Sequence, residues 1–146
     1  MSASEDFLSL TEEKEVVAAI GQAERNTSGE IRVHIEEHTE KPPLERAQEV
    51  FFQLEMEHTK QRNGVLFYIA ALDHSFVILG DVGIDQVVPK DFWDKTKDLV
   101  LRHFKEGENK AGLIAGILEA GEQLKHYFPY DAATDVDELS NEISRG

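Results

Sequence analysis

The chain has 146 residues, no cysteine, and 29 acidic against 15 basic residues, which gives a formal net charge of −14. This length suits one domain with a full hydrophobic core, and a hydrophobic content of 40% is typical of a globular protein. The absence of cysteine excludes disulfides and thiolate metal ligands. The negative charge favours solubility and the attraction of cations, and it disfavours nucleic acids and anionic membranes as partners.

The first ten residues, MSASEDFLSL, contain no basic segment followed by a long apolar one, so we expect no signal peptide. No apolar run approaches the roughly 20 residues that a membrane-spanning helix needs. We therefore expect a soluble, cytoplasmic protein, and we expect no membrane partner.

The first predicted helix covers residues 10–25, because Ser9 and Glu12 have the spacing of a capping box and apolar residues then recur at helical spacing. The alternating segment 31–36 follows as a strand with one apolar face. Its other face, with Arg32, His34 and Glu36, is predicted to be wetter and to discourage further pairing, as on an edge strand.

Prolines 42 and 43 predict the start of a second helix. The unbroken apolar run at 65–71 predicts a strand that is covered on both faces, and the strand at 76–79 should return beside it as a hairpin. We expect a third helix after Pro89.

The last predicted helix covers residues 109–126 and contains two glycines, Gly112 and Gly116. Each glycine costs about 1 kcal/mol in a helix relative to alanine, so both indicate close packing on a neighbour. We assign residues 1–128 to a single domain and residues 129–146 to an acidic C-terminal tail, which is aperiodic and should lie on the surface or be partly loose. The segment DVDEL, from Asp135, is interpreted as part of that solvated tail.

The order of these elements predicts an α/β fold. A strand, a helix and a strand in succession form a right-handed parallel crossover, and the hairpin adds an antiparallel neighbour. The result is a small mixed sheet with helices on both faces.

One rim of this sheet should collect oxygen ligands, because the two parallel strands begin there and the third strand ends there. We also expect the loop at 106–112 to join this rim. Carboxylate and amide oxygens are the ligands that calcium and magnesium take, and nearby glycines allow carbonyl groups to approach. The sequence therefore predicts a divalent-cation site, for calcium or magnesium, with the ligands Glu30, Asn63, Asp81 and Asp85.

A structural interpretation of the same residues stays open. Asp85 then caps a helical turn, Asp81 satisfies loop amides, and Glu30 pairs with Arg62 or Arg32, since turns are rich in Asp and Gly. Ligands of open α/β sheets also usually bind at the opposite rim, beyond the carboxyl ends of the parallel strands. The less organised residues expected at that opposite rim are His38, Thr39, Glu40, Asp73 and His74.

The familiar catalytic motifs are absent from the sequence. It has no P-loop, no dinucleotide fingerprint, no HExxH and no G-x-S-x-G elbow. For the six histidines we expect surface or half-buried positions rather than a role as metal ligands.

The segments TSGEIRVHI, RNGVLFYIA and GDVGID resemble the TPM domain family, which includes thylakoid-lumen, photosystem-repair and receptor-modulating members. The resemblance continues through FKEGENKAGLIAGI and YFPYDAATDVDELSNEIS, so it covers about residues 8–144. The tail is similar to that of the small, free-standing bacterial branch. Positions that match the family near the predicted site are Gly29, Glu30, Asn63, Gly64, Gly80, Gly83 and Gly112, whereas Asp81 stands where many relatives carry another residue, often tyrosine.

The resemblance implies a three-layer α/β/α sandwich. It also implies binding of calcium or another divalent cation, and an acid-phosphatase activity proposed for some plant members. Many relatives have a signal peptide and a membrane helix, which this sequence lacks, so a role in membranes or photosystem repair is not transferred.

Three functions stay open at this point. The first is a non-enzymatic module that binds a divalent cation or an unidentified protein partner. The second is a metal-dependent phosphatase that acts on phosphate monoesters, with Asp81 or Asp85 as nucleophile or base and Arg62 as the cation nearest the phosphate. The third is a scaffold that docks a partner through its hydrophilic tail.

Overall fold

The computed structural model describes residues 3–130 and 139–146. Within these residues a four-stranded sheet with the order β3-β2-β1-β4 forms the middle of the fold. The strands are β1 (Glu30–Glu36), β2 (Gly64–Ala70), β3 (Ser75–Gly80) and β4 (Ser144–Arg145). The helices are α1 (Ala3–Phe7), α2 (Leu10–Glu24), α3 (Pro43–Gln53), α4 (Val82–Asp85), α5 (Asp94–Lys105) and α6 (Asn109–Leu124).

The register of the strands confirms the predicted crossover and hairpin. β1 and β2 are parallel, with Glu30 opposite Gly64, and β3 is antiparallel to β2, with Gly80 opposite Val65. The two parallel strands therefore begin, and β3 ends, at one edge of the sheet, which we call the acidic rim. We call the opposite edge, where β1 and β2 end and β3 begins, the carboxyl rim.

Helices cover both faces of the sheet, as predicted. Helices α2, α5 and α6 pack on one face around a large core that includes Ile20, Phe67 and Ile117. Helix α3 packs on the other face, where Val50 and Phe51 meet Leu66 and Tyr68. The chain thus folds as a mixed sheet within an α/β/α arrangement.

Local sequence signals explain the first long helix and the close contact of the last two. The Ser9 hydroxyl accepts a hydrogen bond from the Glu12 amide at 3.1 Å, and the Glu12 carboxylate accepts one from the Ser9 amide at 2.9 Å, which completes the capping box. In α6, a Cβ at Gly116 would lie 2.3 Å from Cγ2 of Val100. The predicted packing role of the α6 glycines is therefore confirmed.

The elements α1 and β4 were not predicted. Helix α1 has five residues, and its first amides, from Ala3 and Ser4, donate to the distant Glu37 carboxylate at 2.9 and 3.0 Å. Strand β4 has two residues and pairs in parallel with the end of β1. Both elements depend on partners that are far away in the sequence, so the spacing of apolar residues within each segment could not reveal them.

The assigned tail residues thus contribute to the described structure. Ile143 is buried in the large core, and β4 joins the sheet. The segment of the tail at 131–138, which includes most of DVDEL, lies outside the described residues.

The prediction of a wetter face on β1 was wrong. His34 and Glu36 are only 4% and 5% exposed. The physical reason is that α3 covers this face and supplies Arg46, which pairs with the Glu36 carboxylate. His34 is likewise an exception to the surface or half-buried positions expected for the histidines.

The expected position of the loop at 106–112 was also wrong. Helix α5 follows α4 from the acidic rim and runs back along the sheet, so the loop lies at the carboxyl rim. There Gly107 and Asn109 line the same cavity as His74. Among the described residues, no helix is both long enough and apolar enough to span a lipid bilayer.

Candidate functional site

Backbone hydrogen bonds bring the three predicted segments together at the acidic rim. The Glu30 amide donates to the Asn63 carbonyl at 3.2 Å, and the Asp81 amide donates to the Gly64 carbonyl at 2.9 Å. The start of β1, the start of β2 and the end of β3 are therefore adjacent, as the predicted topology requires.

Asp81 is held by Arg62 in a two-point ion pair. The Nε and Nη2 atoms of Arg62 donate to the two carboxylate oxygens of Asp81 at 2.7 and 2.9 Å. Asp81 also caps α4, since its Oδ1 accepts from the Val82 amide at 2.7 Å. The Asp81 side chain is almost fully buried, whereas the side chain of Arg62 is 41% exposed.

The glycine in the following turn allows the chain to approach Arg62 closely. The Gly83 amide donates to the Arg62 carbonyl at 2.9 Å, and a Cβ at Gly83 would lie 2.1 Å from the Gln61 carbonyl oxygen. Any larger residue would force the two backbones apart. The glycine-aspartate segment at the end of β3 therefore builds a tight turn that carries Asp81 to Arg62.

Glu30 and Asn63 are both buried, and each has partners within the protein. The Glu30 carboxylate accepts from the Leu139 amide at 2.7 Å. The Asn63 side-chain amide donates to the Ser28 hydroxyl at 3.3 Å. Glu30 precedes Ile31, which faces the large core, so by strand alternation Glu30 lies on the α3 face of the sheet.

Asp85 is the exposed member of the predicted set. Partial burial of its carboxyl and the negative charge of Asp81 both raise the pKa of Asp85 above its usual value. The described residues show no hydrogen bond or ion pair to this carboxylate. The two residues lie on one turn, since the Asp85 amide donates to the Asp81 carbonyl at 3.1 Å, and Arg62 pairs with the Asp81 carboxylate.

In their present arrangement, the oxygen atoms of the four predicted residues favour an ion pair within the protein over the binding of a metal ion. Asp81 directs both oxygens to Arg62, so an ion that used Asp81 would have to displace the guanidinium. In the described part of the chain, no three histidine, aspartate or glutamate side chains are grouped so that they could hold a metal. The structure brings the four predicted residues to one rim, and their role as metal ligands stays a prediction.

The structure also tests the alternative interpretation, in which these residues cap a helical turn and form ion pairs rather than bind a metal. Asp81, rather than Asp85, caps the helical turn and satisfies a loop amide. Arg62 pairs with Asp81, so of the two partners considered for Glu30, Arg62 or Arg32, the first is wrong.

A second polar cluster, on the α3 face, was missed. Glu36 accepts hydrogen bonds from Nε and Nη2 of Arg46, each at 2.9 Å, and from the Tyr68 hydroxyl. Nε2 of His34 lies 3.1 Å from the same carboxylate, and Nδ1 of His34 lies 3.0 Å from the Ser144 hydroxyl. The cluster therefore joins β1, β2, α3 and β4.

These contacts shift the protonation equilibria of the cluster. Burial alone would raise the pKa of Glu36, but the hydrogen bonds from Arg46, Tyr68 and His34 outweigh it and lower this pKa to about 2. Burial lowers the pKa of His34, and its bond to Glu36 offsets only part of this effect. Burial and the bond to Glu36 raise the pKa of Tyr68. Glu36 is therefore charged, and His34 is held mainly neutral.

A signal for this cluster was present in the sequence. Arg32, His34 and Glu36 alternate on one face of a strand, and Tyr68 places a hydroxyl within an apolar strand that pairs with it. His34 lies directly opposite Tyr68. The position of Arg46 on α3 could not be read from the same pattern, because it depends on how the helix crosses the sheet.

The carboxyl rim is more ordered than expected. Nδ1 of His38 lies 2.7 Å from the Asp73 carboxylate, whose other oxygen accepts from the Thr39 amide at 2.9 Å. The bond to Asp73 raises the pKa of His38, and the same bond lowers the pKa of Asp73. This exposed pair ties the end of β1 to the β2–β3 turn.

Comparisons with known proteins identify the fold and the family. Residues 1–123 match the model of the TPM domain. The structure is similar to the NMR structure of the BA42 protein from the psychrophilic bacterium Bizionia argentinensis, with 51% sequence identity, a TM-score of 0.91 and 96% coverage of each chain.

A second solved structure shares the fold alone. It is the N-terminal domain of a protein from P. gingivalis, with 20% identity, a TM-score of 0.66, and coverage of 84% of this chain and 79% of that one. A search of the curated proteins finds no match. The family match spans most of the chain, and the fold of a protein that is 51% identical agrees with it over nearly the full length. The chain therefore belongs to the TPM domain family.

Proposed function

We propose that this chain is a non-enzymatic binding module whose acidic rim takes up a divalent cation, calcium or magnesium, in exchange for the Arg62 guanidinium. The observation that carries the proposal is a pair of neighbouring carboxylates, Asp81 and Asp85, of which Asp81 is neutralised by Arg62. This arrangement leaves the turn with an excess negative charge. A divalent ion would neutralise both carboxylates at once.

The exchange is physically reasonable because the side chains of the two partners differ in exposure to solvent. Asp81 is buried and fixed by its bond to the Val82 amide, whereas Arg62 is substantially exposed and can turn into solvent. Glu30, the first residue of β1, and Asn63, the residue before β2, complete the proposed set. The formal charge of −14 further concentrates cations around the protein.

Calorimetric titration with calcium chloride, and separately with magnesium chloride, tests the proposal. Asp81→Asn and Asp85→Asn should each weaken binding of the cation at least tenfold. Arg62→Gln should strengthen it, because it removes the competing cation. Asp98→Asn is the matched control, since it removes one exposed carboxylate from α5 and should leave the affinity unchanged.

If Arg62→Gln weakens binding of the cation instead of strengthening it, the ion does not replace the guanidinium and the proposed exchange is wrong. If Arg62→Gln and the wild-type protein both give no heat and no shift in melting temperature at millimolar cation, the rim does not bind such ions. If Asp98→Asn weakens binding as much as Asp85→Asn does, the ions are held by general charge and the rim is not a site. Circular dichroism of each variant separates these results from unfolding.

The alternative function, a metal-dependent acid phosphatase, has weaker support. Phosphoryl transfer needs fixed cations at the developing charge. The cation at this rim, Arg62, already bonds both oxygens of Asp81. Turnover of a model phosphate monoester by the wild-type protein, lost in both Asp81→Asn and Asp85→Asn, would favour the phosphatase over the binding module.

A further inference from the structure

A cavity of about 690 Å³ lies at the carboxyl rim. This is the edge of the sheet opposite the one that carries the predicted metal residues. This volume falls within the roughly 300–1,000 Å³ of sites for small organic ligands. Its location is also where open α/β sheets usually bind ligands. The rim thus combines a pocket of suitable size with a position that favours binding.

The walls of the cavity are mainly apolar and come from distant parts of the chain. Ile69 and Ala71, at the end of β2, form one wall, and Leu101 and Phe104 of α5 form another. Phe7 of α1 closes the cavity, with its ring against that of Phe104 at a centroid distance of 5.3 Å. These groups would hold the apolar body of a ligand.

Helix α1 is held over the cavity by polar bonds and by the packing of Phe7 on the large core. Its first two amides donate to Glu37, and the Asn109 side chain donates to the Phe7 carbonyl at 3.2 Å. Arg145 donates to the Ser4 carbonyl at 2.6 Å. Leu8, directly after the helix, is buried in the large core, so α1 forms a fixed wall of the cavity.

The charged groups at the mouth set the polarity of the ligand. Lys105 and Asp6 both line the cavity, and His74, Ser75 and Asn109 add further hydrogen-bond donors. In the described part of the chain, no carboxylate lies within ion-pair distance of Lys105. Lys105 is therefore available to pair with an anionic headgroup, and the Ser75 hydroxyl can donate a hydrogen bond to it.

We infer that this cavity, under α1, binds a small amphipathic carboxylate, with its apolar chain between Phe7, Ile69 and Phe104 and its headgroup at Lys105. The site is separate from the acidic rim, and its occupancy does not depend on a divalent cation. Asp6, on α1, lies at the same cavity, and its negative charge limits the affinity for a carboxylate.

Titration of the full chain with decanoate, at concentrations below micelle formation and in the presence of a chelator, tests the inference. Binding is followed by calorimetry and by amide chemical shifts of Phe7, Ile69 and Gly107. Lys105→Gln should weaken binding of decanoate about fivefold, and Asp6→Asn should strengthen it. Lys97→Gln, an exposed lysine earlier on the same helix, is the matched control and should change nothing.

Decanol and decylamine, which have the same chain length as decanoate but a neutral and a cationic headgroup, test whether the cavity selects an anion. Decanol should bind with an affinity that is insensitive to Lys105→Gln and Asp6→Asn, because it carries no charge. If decylamine binds more tightly than decanoate and Asp6→Asn weakens it, the cavity selects cations and the inference is overturned. The inference also fails if decanoate causes no shift at these amides in a folded protein.

A variant that fills the cavity provides an independent check. Ala71→Leu places extra carbon atoms against the apolar wall, and it should abolish decanoate binding while the circular dichroism spectrum stays that of the wild type. Unchanged binding in this variant would place decanoate elsewhere and overturn the inference. Failure of the calcium experiment would leave these results unaffected.

Discussion

Hydrogen-bond donors from Arg46, Tyr68 and His34 reach the Glu36 carboxylate under helix α3. A buried carboxylate without such partners would stay protonated, because burial disfavours its charged form. Here the donors reverse that tendency and hold the pKa of Glu36 at about 2. One residue thus couples the sheet, the α3 layer and, through His34, the C-terminal strand.

The protein should lose stability between about pH 5 and pH 2. The pKa of Glu36 is lower in the folded protein, about 2, than the ordinary value of 4.5. Its contribution is therefore complete above pH 5 and lost as the pH falls towards 2, and it amounts to about 3 kcal/mol. The lowered pKa of His34 acts in the same direction, since the unfolded chain takes up a proton below about pH 6.5 and the folded one resists it.

Urea unfolding across this pH range measures the effect. Glu36→Gln should lower the free energy of unfolding at pH 7 by about 3 kcal/mol and flatten its dependence on pH. Glu45→Gln, an exposed residue at the start of the same helix, is the control. Equal slopes for wild type and Glu36→Gln would show that the cluster does not govern acid stability.

At the scale of elements, α6 packs through its small residues. Gly112 lies against His103 and Phe104, Gly116 against Val100, and Gly121 against Ala23. The helix therefore approaches α5 on one side and α2 on the other more closely than alanine would allow. Protein interiors are packed as densely as crystals of small organic molecules, so the residues at these contacts have little room to shift.

Two glycine-to-alanine changes in different helices should have opposite effects. Gly116→Ala places a Cβ 2.3 Å from Val100 and should destabilise the protein by about 1–2 kcal/mol, since overpacking outweighs the gain in helix propensity. Gly21→Ala, in α2, meets nothing nearer than 4.0 Å and should stabilise it by up to about 1 kcal/mol. Thermal unfolding of the two variants compares them directly, and stabilisation by Gly116→Ala would contradict the packing role.

The elements also show which parts of the fold could be predicted. Apolar periodicity located β1, β2, β3, α2, α3, α5 and α6, because each has a long local pattern. It missed α1 and β4, which exist through Glu37 and the edge of β1 rather than through their own sequence. The alternation of apolar and polar residues predicted β1, but the burial of its polar face depends on the position of α3 and could not be predicted.

For the whole molecule, the dominant property is the formal charge of −14. Topology correctly predicted that Glu30, Asn63, Asp81 and Asp85 share one rim, because strand direction alone determines it. It could not predict that Arg62 takes the Asp81 carboxylate, since this depends on the geometry of the turn around Gly83. It also gave no sign of the cavity under α1.

Monovalent salt should raise the melting temperature of the protein by about 2–4 °C between low and physiological ionic strength. Salt screens the repulsion among the excess carboxylates, which otherwise disfavours the compact state. Calcium chloride at matched ionic strength should add a further increase if the acidic rim binds the ion, because a ligand of the folded state stabilises it by mass action. A melting temperature that falls with sodium chloride would show that local ion pairs, rather than net charge, govern the response.

The contact between Arg145 and both Ser4 and Glu13 brings the two ends of the described chain side by side. A short linker could therefore join them without crossing the body of the protein, and new ends could be opened in a surface turn, giving a circularly permuted form with the same sheet. Any domain fused to either end would leave from the same side of the molecule, beside the helix that covers the cavity. Tags and fusion partners at both ends should consequently be placed on long spacers, so that they do not crowd that helix and the mouth of the cavity.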